Sequence, residues 1–259
     1  MRIALCFSGQ PRFVDECHDA INQNIILANP EAQVDVFVHT WFSDEICDKP
    51  LYENEFSSFS GNAKIKSDAI ERIKELYSPV SLEVDEPLTC NPNSEICHSF
   101  IRWALNGNND FGMPVEEFQK RKTESAYSIY YSVMRSNTLK RLHELKVGKI
   151  YDVVIKMRFD NKISQRLRFE TLDMNYLYSE YMAKPEYEIS DWVNFSNSRN
   201  MDKMTSIFLN FEDLVDHSVS LVGGWSCESL IKSICDINGI QGRAINLGSV
   251  LPSWGEYKK

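Results

Sequence analysis

Short apolar runs alternate along this chain with longer segments that have helical spacing. The first apolar run, 2–7 (RIALCF), is typical of a buried strand, and it stops at 8–11 (SGQP), which indicates a tight loop. The segment 13–27 has a helical pattern, and 34–41 is rich in the β-branched and aromatic residues of a second strand. A strand, a loop, a helix and a second strand in this order predict the start of an open parallel sheet.

The rest of the chain continues this alternation. The longest predicted helix covers 122–145, where apolar residues recur every three or four positions, and Gly148 follows its end. The strand at 151–157 (YDVVIKM) is apolar on both faces, which predicts a central place in the sheet. The segment 43–63 shows no clear period, and 87–115, which contains three prolines, is predicted to be a long loop. The other predicted elements are helices at 67–77, 198–210 and 227–238 and strands at 80–84, 189–195 and 243–250.

These elements predict one α/β domain with a Rossmann-like, mostly parallel central sheet flanked by helices. The chain has 259 residues, which is long for one domain and short for two, and it contains no internal repeat or linker. With 43% hydrophobic residues it can bury a substantial core. Within this single domain, we expect 1–160 to bind a nucleotide. We expect 161–259 to bind the second substrate, the acceptor of a transferred group, and to carry catalysis.

The charge balance restricts the class of ligand. The formal net charge is −9, and the isoelectric point is about 5.2. General nucleic-acid binding relies on clustered Lys and Arg that neutralise phosphates, so this balance argues against a nucleic-acid partner. A few local cations are still enough to hold a small phosphorylated ligand.

Cysteine usage and hydropathy predict a cytoplasmic protein. The seven cysteines include no CxxC pair, which argues against a zinc site or disulfide scaffold and favours free thiols in a reducing compartment. The first apolar run is too short for a signal peptide, and no stretch approaches the roughly 18 apolar residues of a membrane span. We therefore expect no transmembrane segment.

The loop after the first strand carries the first candidate ligand-binding residues, which are Ser8, Gly9, Gln10 and Arg12. In open α/β sheets, ligands bind beyond the carboxyl ends of the strands, and a glycine there lets a ligand approach the backbone. Arg12 is suited to pair bidentately with a phosphate, next to the positive end of the first helix. The alternative is a simple turn with a surface arginine. The loop has neither GxGxxG nor GxxxxGK[ST], which argues against hydride transfer and ATPase chemistry.

The end of the predicted central strand carries the second candidate, 156–160 (KMRFD). A carboxylate there, Asp160, is placed to hold a divalent cation that bridges two phosphate oxygens of a nucleotide. Arg158 would support the phosphates or orient Asp160. The alternative is a buried structural pair of Arg158 and Asp160.

Further candidates follow later strands and loops. Asp191 precedes Trp192, and a carboxylate beside an indole suits a sugar site; a strand-start Asp beside a core Trp is the alternative. Glu228 lies in the first turn of a predicted helix, where it is either a catalytic base or a charge that favours the helix start. His39 and Trp41, at the end of the second strand, are also predicted to face the crevice, although a lone His is more often structural.

Four segments together resemble a known family. They are RIALCFSGQPR, VDVFVHTW, SIYYSVMRSNTLKRL with YDVVIKMRFD, and SDWVNFSNSRNMDKM. Over 1–42 and 122–240 they are similar to GT-A-like glycosyltransferases of bacterial surface-polysaccharide clusters and of large viruses and phages. The resemblance implies a GT-A-like fold, a nucleotide-sugar donor, and Mn²⁺ or Mg²⁺ held by an Asp-x-Asp motif. In this chain that position reads Arg158-Phe159-Asp160, so only the second acidic place is filled.

The resulting hypothesis is sugar transfer from a nucleotide-diphosphate donor to a glycan or glycoconjugate acceptor. Asp160, through the metal, and Arg12 would offset the charge that develops on the leaving diphosphate. Asp191, or in second place Glu228, would deprotonate the acceptor if the anomeric centre inverts. Two alternatives are a sugar nucleotidyltransferase, whose longer glycine-rich and basic signature is missing here, and a non-catalytic nucleotide- or glycan-binding protein of the same fold.

Overall fold

The computed structural model describes residues 1–48, 64–87, 115–180 and 189–249. Most of the segments 43–63 and 87–115 therefore lies outside the described residues. The last residue of the strand predicted at 243–250 lies outside them as well.

Seven strands of the described residues form one continuous sheet. They are β1 (Arg2–Gly9), β2 (Gln33–Trp41), β3 (Ser81–Asp85), β4 (Val153–Met157), β5 (Leu177–Ser179), β6 (Val193–Ser196) and β7 (Gly242–Ala244). Their order is β3-β2-β1-β4-β6-β5-β7. Only β6 runs against its neighbours β4 and β5, and all other pairs are parallel. The predicted α/β class with a mostly parallel sheet is confirmed.

Helices cover both faces of this sheet. They are α1 (Val14–Ile21), α2 (Ala69–Tyr77), α3 (Val115–Val147), α4 (Ser198–Met204), α5 (Phe211–Val222) and α6 (Cys227–Ile237). Side chains of a strand alternate between the two faces. Ile3, Leu5 and Phe7 of β1 accordingly pack in the core with α1 and α2, whereas Ala4 and Cys6 pack in the core with α3 to α6. None of the helices in the described ranges is both long and apolar enough to cross a bilayer.

Several predicted boundaries were wrong, most of them after residue 160. The strand predicted at 189–195 begins only at Val193, because the backbone turns before it: Trp192 N donates to Ser190 Oγ at 3.3 Å. The helix predicted at 198–210 ends as α4 and continues as a 3₁₀ turn into α5, which was not predicted. The final strand covers only Gly242–Ala244. Along 13–27, the helix α1 passes into a π-helical turn at Asn22–Ile26.

The connections of the sheet change direction between β1 and β4. These strands are neighbours, with Phe7 opposite Met157. The chain leaves β1 for α1 on one face, but it enters β4 from α3 on the other face. Such a change of face is a topological switch point, where open α/β sheets bind ligands beyond the carboxyl ends of the strands. Because β6 is reversed, its start at Val193 also lies at this edge, opposite Met157.

Candidate functional site

An arginine–aspartate–arginine cluster lies at this switch point. Asp160, which follows β4, is almost fully buried, with 1% of its surface exposed. Arg158 donates to both of its carboxylate oxygens, from Nε to Oδ1 at 2.8 Å and from Nη2 to Oδ2 at 2.6 Å. Arg12, which follows β1, approaches Oδ2 with its Nη2 at 3.3 Å. The structure therefore brings together three residues that were predicted from two separate motifs.

Two arginines hold the Asp160 carboxylate in its ionised form. Burial raises the pKa of Asp160, but the charges of Arg158 and Arg12 and the hydrogen bonds from Arg158 outweigh burial, so the pKa lies below its usual value. The carboxylate is therefore ionised at neutral pH.

The loop at the end of β1 is fixed by both neighbouring elements. Gly9 N donates to Ser132 Oγ of α3 at 2.7 Å, and Thr40 Oγ1 of β2 donates to Gly9 O at 2.8 Å. Gly9 has a φ of +98°, a conformation that favours glycine, and there is open space where a Cβ would lie. Ser8 is buried, and Gln10 holds the turn by accepting a hydrogen bond from Arg12 N at its backbone oxygen.

His39 and Trp41 lie at the same edge but inside the packing between β2 and α3. His39 is fully buried; its Nδ1 is 2.8 Å from Ser132 Oγ and its Nε2 is 3.1 Å from Asp85 Oδ2. Burial lowers the pKa of His39, and Asp85 only partly offsets this, so the ring is neutral at pH 7. Trp41 is 4% exposed and stacks on Tyr131 with ring centroids 5.3 Å apart. These contacts favour the structural interpretation of both residues.

Asp191 and Glu228 are brought together around a buried lysine. Lys156 of β4 is 3% exposed, and its Nζ donates to the backbone oxygen of Asp191. Burial lowers the pKa of Lys156 to about 8; Asp191 and Glu228 oppose this shift, and Arg158 adds to it. The ammonium of Lys156 therefore lies within electrostatic range of both candidate bases, which attract it, and of Arg158, which repels it. Trp192, by contrast, packs partly buried against the core on the α1–α2 side of the sheet.

Two buried asparagines hold the turn that carries Asp191. Asn161 Nδ2 donates to Trp192 O at 3.0 Å, and Asn194 Nδ2 donates to Ser190 O at 2.8 Å. Both residues are fully buried, and their Oδ1 atoms have no hydrogen-bond partner within the part of the chain that the structure describes. Buried polar atoms are normally paired, so these oxygens are positions where a ligand or a water would donate a hydrogen bond.

Sequence reasoning missed Asn161 and Asn194 as site residues, and it included Lys156 in the candidate segment 156–160 without giving it a role. Lys156 was the one detectable signal, since a lysine inside the apolar run YDVVIKM is unusual in a central strand. The roles of Asn161 and Asn194 depend on the turn before β6, which was predicted to be a strand.

The residues around Asp160 do not fit the divalent cation that the sequence led us to expect. Both carboxylate oxygens already contact guanidinium groups. Among the described residues, no group of three or more His, Cys, Asp or Glu side chains is arranged to hold a metal ion. Mn²⁺ and Mg²⁺ prefer several oxygen ligands, and one carboxylate between two arginines does not supply them.

Comparison with known proteins adds no family to this description. No family model matches the chain, and no curated protein matches it. The fold and the site define the class as an α/β protein with an arginine–aspartate–arginine cluster at its switch point.

Proposed function

We propose that the chain is a glycosyltransferase that moves a sugar from a nucleotide-diphosphate donor to a hydroxyl of a glycan or glycoconjugate acceptor. The observation that carries the proposal is the cluster of Arg12, Asp160 and Arg158 at the switch point between β1 and β4. A nucleotide diphosphate is an anion, and guanidinium groups match phosphate oxygens bidentately. The two segments that meet at this switch point, 8–12 and 156–160, also belong to the resemblance to GT-A-like glycosyltransferases.

On the donor side, the arginines offset negative charge. When the bond between sugar and diphosphate breaks, charge develops on the leaving diphosphate, and fixed positive groups in a poorly hydrated site stabilise it. Arg12 and Arg158 are already oriented by Asp160, so little reorganisation is needed at that moment. The loop from Ser8 to Gln10 would hold the nucleotide beside them.

On the acceptor side, Asp191 is our preferred base and Glu228 the second choice. Asp191 lies on the turn that Lys156 and Asn194 hold at the start of β6. Glu228 has a structural role in its surroundings: it lies in the first turn of α6, and its backbone oxygen accepts a hydrogen bond from Ile189 N at 3.1 Å.

A second candidate function is binding of a nucleotide or glycan without catalysis. It is favoured by the engagement of both Asp160 oxygens with arginines, which leaves the position of a metal-binding aspartate in a structural role. Incubation with nucleotide sugars separates the two functions. A transferase releases nucleoside diphosphate from the donor, at least by slow hydrolysis. A protein that only binds the donor releases none.

A thermal-shift panel of UDP, GDP, CDP and dTDP tests the proposed donor site. A ligand at 100 times its Kd adds about 2.7 kcal/mol to the free energy of unfolding, so one member of the panel should raise the Tm clearly. Arg12→Gln should lose this shift. Arg168→Gln is the matched control, because Arg168 is largely exposed and pairs with its neighbour Glu170. No shift with any nucleotide, or equal shifts in both variants, would contradict the proposal.

A further inference from the structure

We propose that the exposed end of α3 binds the surface of an anionic lipid bilayer. This part of the molecule, the α3 tip, consists of residues 141–150, which are the last two turns of α3 and the start of the connection to β4. It lies at the edge of the sheet where β4 begins, whereas the arginine–aspartate–arginine cluster follows the other ends of β1 and β4. The proposal therefore goes beyond sugar transfer and does not depend on it.

Large apolar side chains are concentrated on the α3 tip. Leu142, Leu145, Val147 and Ile150 are 57%, 79%, 41% and 74% exposed. Eleven large hydrophobic side chains are exposed among the described residues, and these four lie within one stretch of nine residues, so they form a cluster. Single exposed hydrophobic residues are normal on a protein surface, but a cluster of them marks an interaction site.

The α3 tip is fixed from its inner side. Glu144 is buried, and its carboxylate accepts hydrogen bonds from Lys140 Nζ at 3.0 Å and from Tyr151 N at 2.9 Å. The backbone oxygen of Lys149 accepts a hydrogen bond from Arg2 Nη1 at 3.0 Å, which joins the tip to the start of β1. The exposed apolar side chains therefore project from a fixed backbone.

The exposed charges of the α3 tip are all positive. They are Arg141, Lys146 and Lys149. Within the part of the chain that the structure describes, no carboxylate forms an ion pair with Lys146 or Lys149, whereas Arg141 Nε lies 3.5 Å from Asp202 Oδ2. The two ammonium groups are therefore available to an anionic partner, although the formal net charge of the chain is −9. Charges farther away than about 8 Å are screened at physiological ionic strength, so the local lysines determine the attraction.

This combination is complementary to the surface of an anionic bilayer. Leu142 and Lys146 are four positions apart on α3, as are Arg141 and Leu145, so apolar and cationic side chains share one face of the helix. At such a surface, apolar side chains enter the boundary between headgroups and acyl chains, while Lys and Arg extend their charges to the lipid phosphates.

A second protein fits the α3 tip less well. A standard protein interface uses about 20–30 residues on each side, and the tip has ten. In a twofold dimer of this chain, the tip would also meet its own copy. Lys146 and Lys149 would then face like charges, which opposes association.

Sedimentation of sucrose-loaded vesicles with the full chain tests the proposal. The probes are vesicles of phosphatidylcholine alone and vesicles of phosphatidylcholine mixed with phosphatidylglycerol. We expect binding to the mixed vesicles at physiological ionic strength. High salt should weaken this binding about tenfold, because it screens the attraction between the lysines and the lipid phosphates. Vesicles without the anionic lipid should bind more weakly by a similar factor.

Substitutions in the tip separate the apolar from the charged contribution. Leu145→Ser and Ile150→Ser each remove one exposed apolar side chain. The double variant Lys146→Gln with Lys149→Gln removes two charges. Each of these three changes should weaken binding to the mixed vesicles about tenfold or more. The substituted positions are exposed, so the variants should fold, and their Tm values verify this.

The matched controls are exposed positions outside the tip. Leu221→Ser changes an exposed leucine of α5, and Lys120→Gln changes an exposed lysine near the start of α3. Both variants should bind the mixed vesicles like wild type, and an equal loss in the controls and in the tip variants would overturn the proposal.

The remaining outcomes also decide the proposal. Binding to neither kind of vesicle, equal binding to both kinds, or binding that every tip variant retains would overturn it. Size exclusion with light scattering tests for a second copy of the chain, and a dimer that dissociates in Leu145→Ser would identify that copy as the partner in place of the bilayer. None of these measurements uses a nucleotide, so none of them decides the transferase proposal.

Discussion

Asp160 combines deep burial with two cationic partners, and this determines how its contribution to stability depends on pH. Its pKa in the folded protein is lowered, below the value of about 3.9 in an unfolded chain. The stabilisation is therefore present above that unfolded value and is lost as the pH falls through the folded pKa.

We expect Asp160→Asn to lower the free energy of unfolding by about 2–3 kcal/mol at pH 7, somewhat less than a fully buried pair because the arginines keep contact with water. The deficit should shrink at pH 3, because below about pH 3.9 the carboxylate of the unfolded chain takes up a proton more readily than that of the folded protein. Urea unfolding at both pH values measures it. Asp19→Asn is the control, since the Asp19 side chain is 96% exposed; an equal effect of the two substitutions would contradict the buried pairing.

Lys156 has the opposite pH dependence. Its folded pKa of about 8 lies below the unfolded value of about 10.4. Burial of the ammonium therefore has its full cost below pH 8, and that cost is relieved as the pH rises toward the unfolded value.

Between pH 7.5 and 9.5 we expect wild type to gain about 1–2 kcal/mol of stability relative to Lys156→Met. Lys146→Met, at an exposed position on α3, should show no such change relative to wild type. A constant difference between wild type and Lys156→Met across this range would contradict the buried ammonium.

Asp191 and Glu228 are ranked by a kinetic comparison. Loss of a general base typically costs about 10²–10⁴ in rate. We expect Asp191→Asn to lower kcat by that order while the Kd of the donor stays unchanged, and Glu228→Gln to have a smaller effect. The measurement is initial-rate kinetics with an identified donor and acceptor. A larger effect of Glu228→Gln would reverse the ranking.

At the residue scale, the sequence motifs predicted where the site residues lie better than they predicted what those residues contact. The sequence placed Arg12, Arg158 and Asp160 at strand ends, which predicted that they would meet. It could not predict that Asp160 would be enclosed by both arginines, because that depends on side-chain directions from two strands 150 residues apart in sequence. The contacts of Lys156 and Asn194 could not be predicted for the same reason, since their partners lie on a turn whose shape has no periodic signal.

At the element scale, α3 holds the end of β1 beside β2. Ser132 of α3 accepts a hydrogen bond from Gly9 N at 2.7 Å, donates to His39 O at 3.2 Å and contacts His39 Nδ1. Because Gly9 ends β1 and His39 lies in β2, one hydroxyl joins three elements next to the candidate donor site.

We expect Ser132→Ala to destabilise the protein by about 1–3 kcal/mol, since it leaves a backbone N–H of Gly9 without its acceptor. Ser125→Ala, at an exposed position on the same helix, is the matched control and should be close to neutral. Chemical unfolding of both variants measures the difference. If the two variants are equally stable, the hydroxyl does not support the end of β1.

Most of the longer elements were predictable, with the exception of α5, and the three-residue strand β5 was not. The helix predicted at 122–145 lies inside α3 (Val115–Val147), and β1, β2 and β4 were found within a few residues. β5 (Leu177–Ser179) was missed, because three residues are too few to show an alternation of apolar and polar positions. The 3₁₀ turn at Thr205–Asn210 interrupts a helical pattern, but it contains no proline or glycine from which the interruption could be predicted.

At the scale of the whole molecule, the direction of one strand assembles the site. A parallel sheet follows from repeated strand–helix–strand units, and the right-handed crossover rule makes that inference secure. The reversal of β6 has no comparable sequence signal. Because β6 runs antiparallel to β4, residues 190–192 arrive at the carboxyl edge before the strand begins, beside residues that leave β4 at the same edge.

The structure also offers a competing position for a ligand. A cavity of about 470 Å³ lies between the second half of α6, the start of β7 and Ile189, and it is lined by Lys232, Asp236 and residues 239–242. β7 is three strands away from β4 in the sheet, or roughly 14 Å at the usual strand spacing. A ligand in this cavity would therefore contact a part of the sheet away from Arg12 and Asp160.

Amide hydrogen exchange by mass spectrometry, with and without the nucleoside diphosphate that raises the Tm most, locates the ligand directly. Binding at the switch point predicts slower exchange at 8–13 and 158–162, with little change at 236–242. The same nucleotide should leave exchange in Arg12→Gln unaltered at concentrations that saturate wild type. Protection confined to 236–242, or protection at 8–13 that persists in Arg12→Gln, would contradict a donor site built on the two arginines.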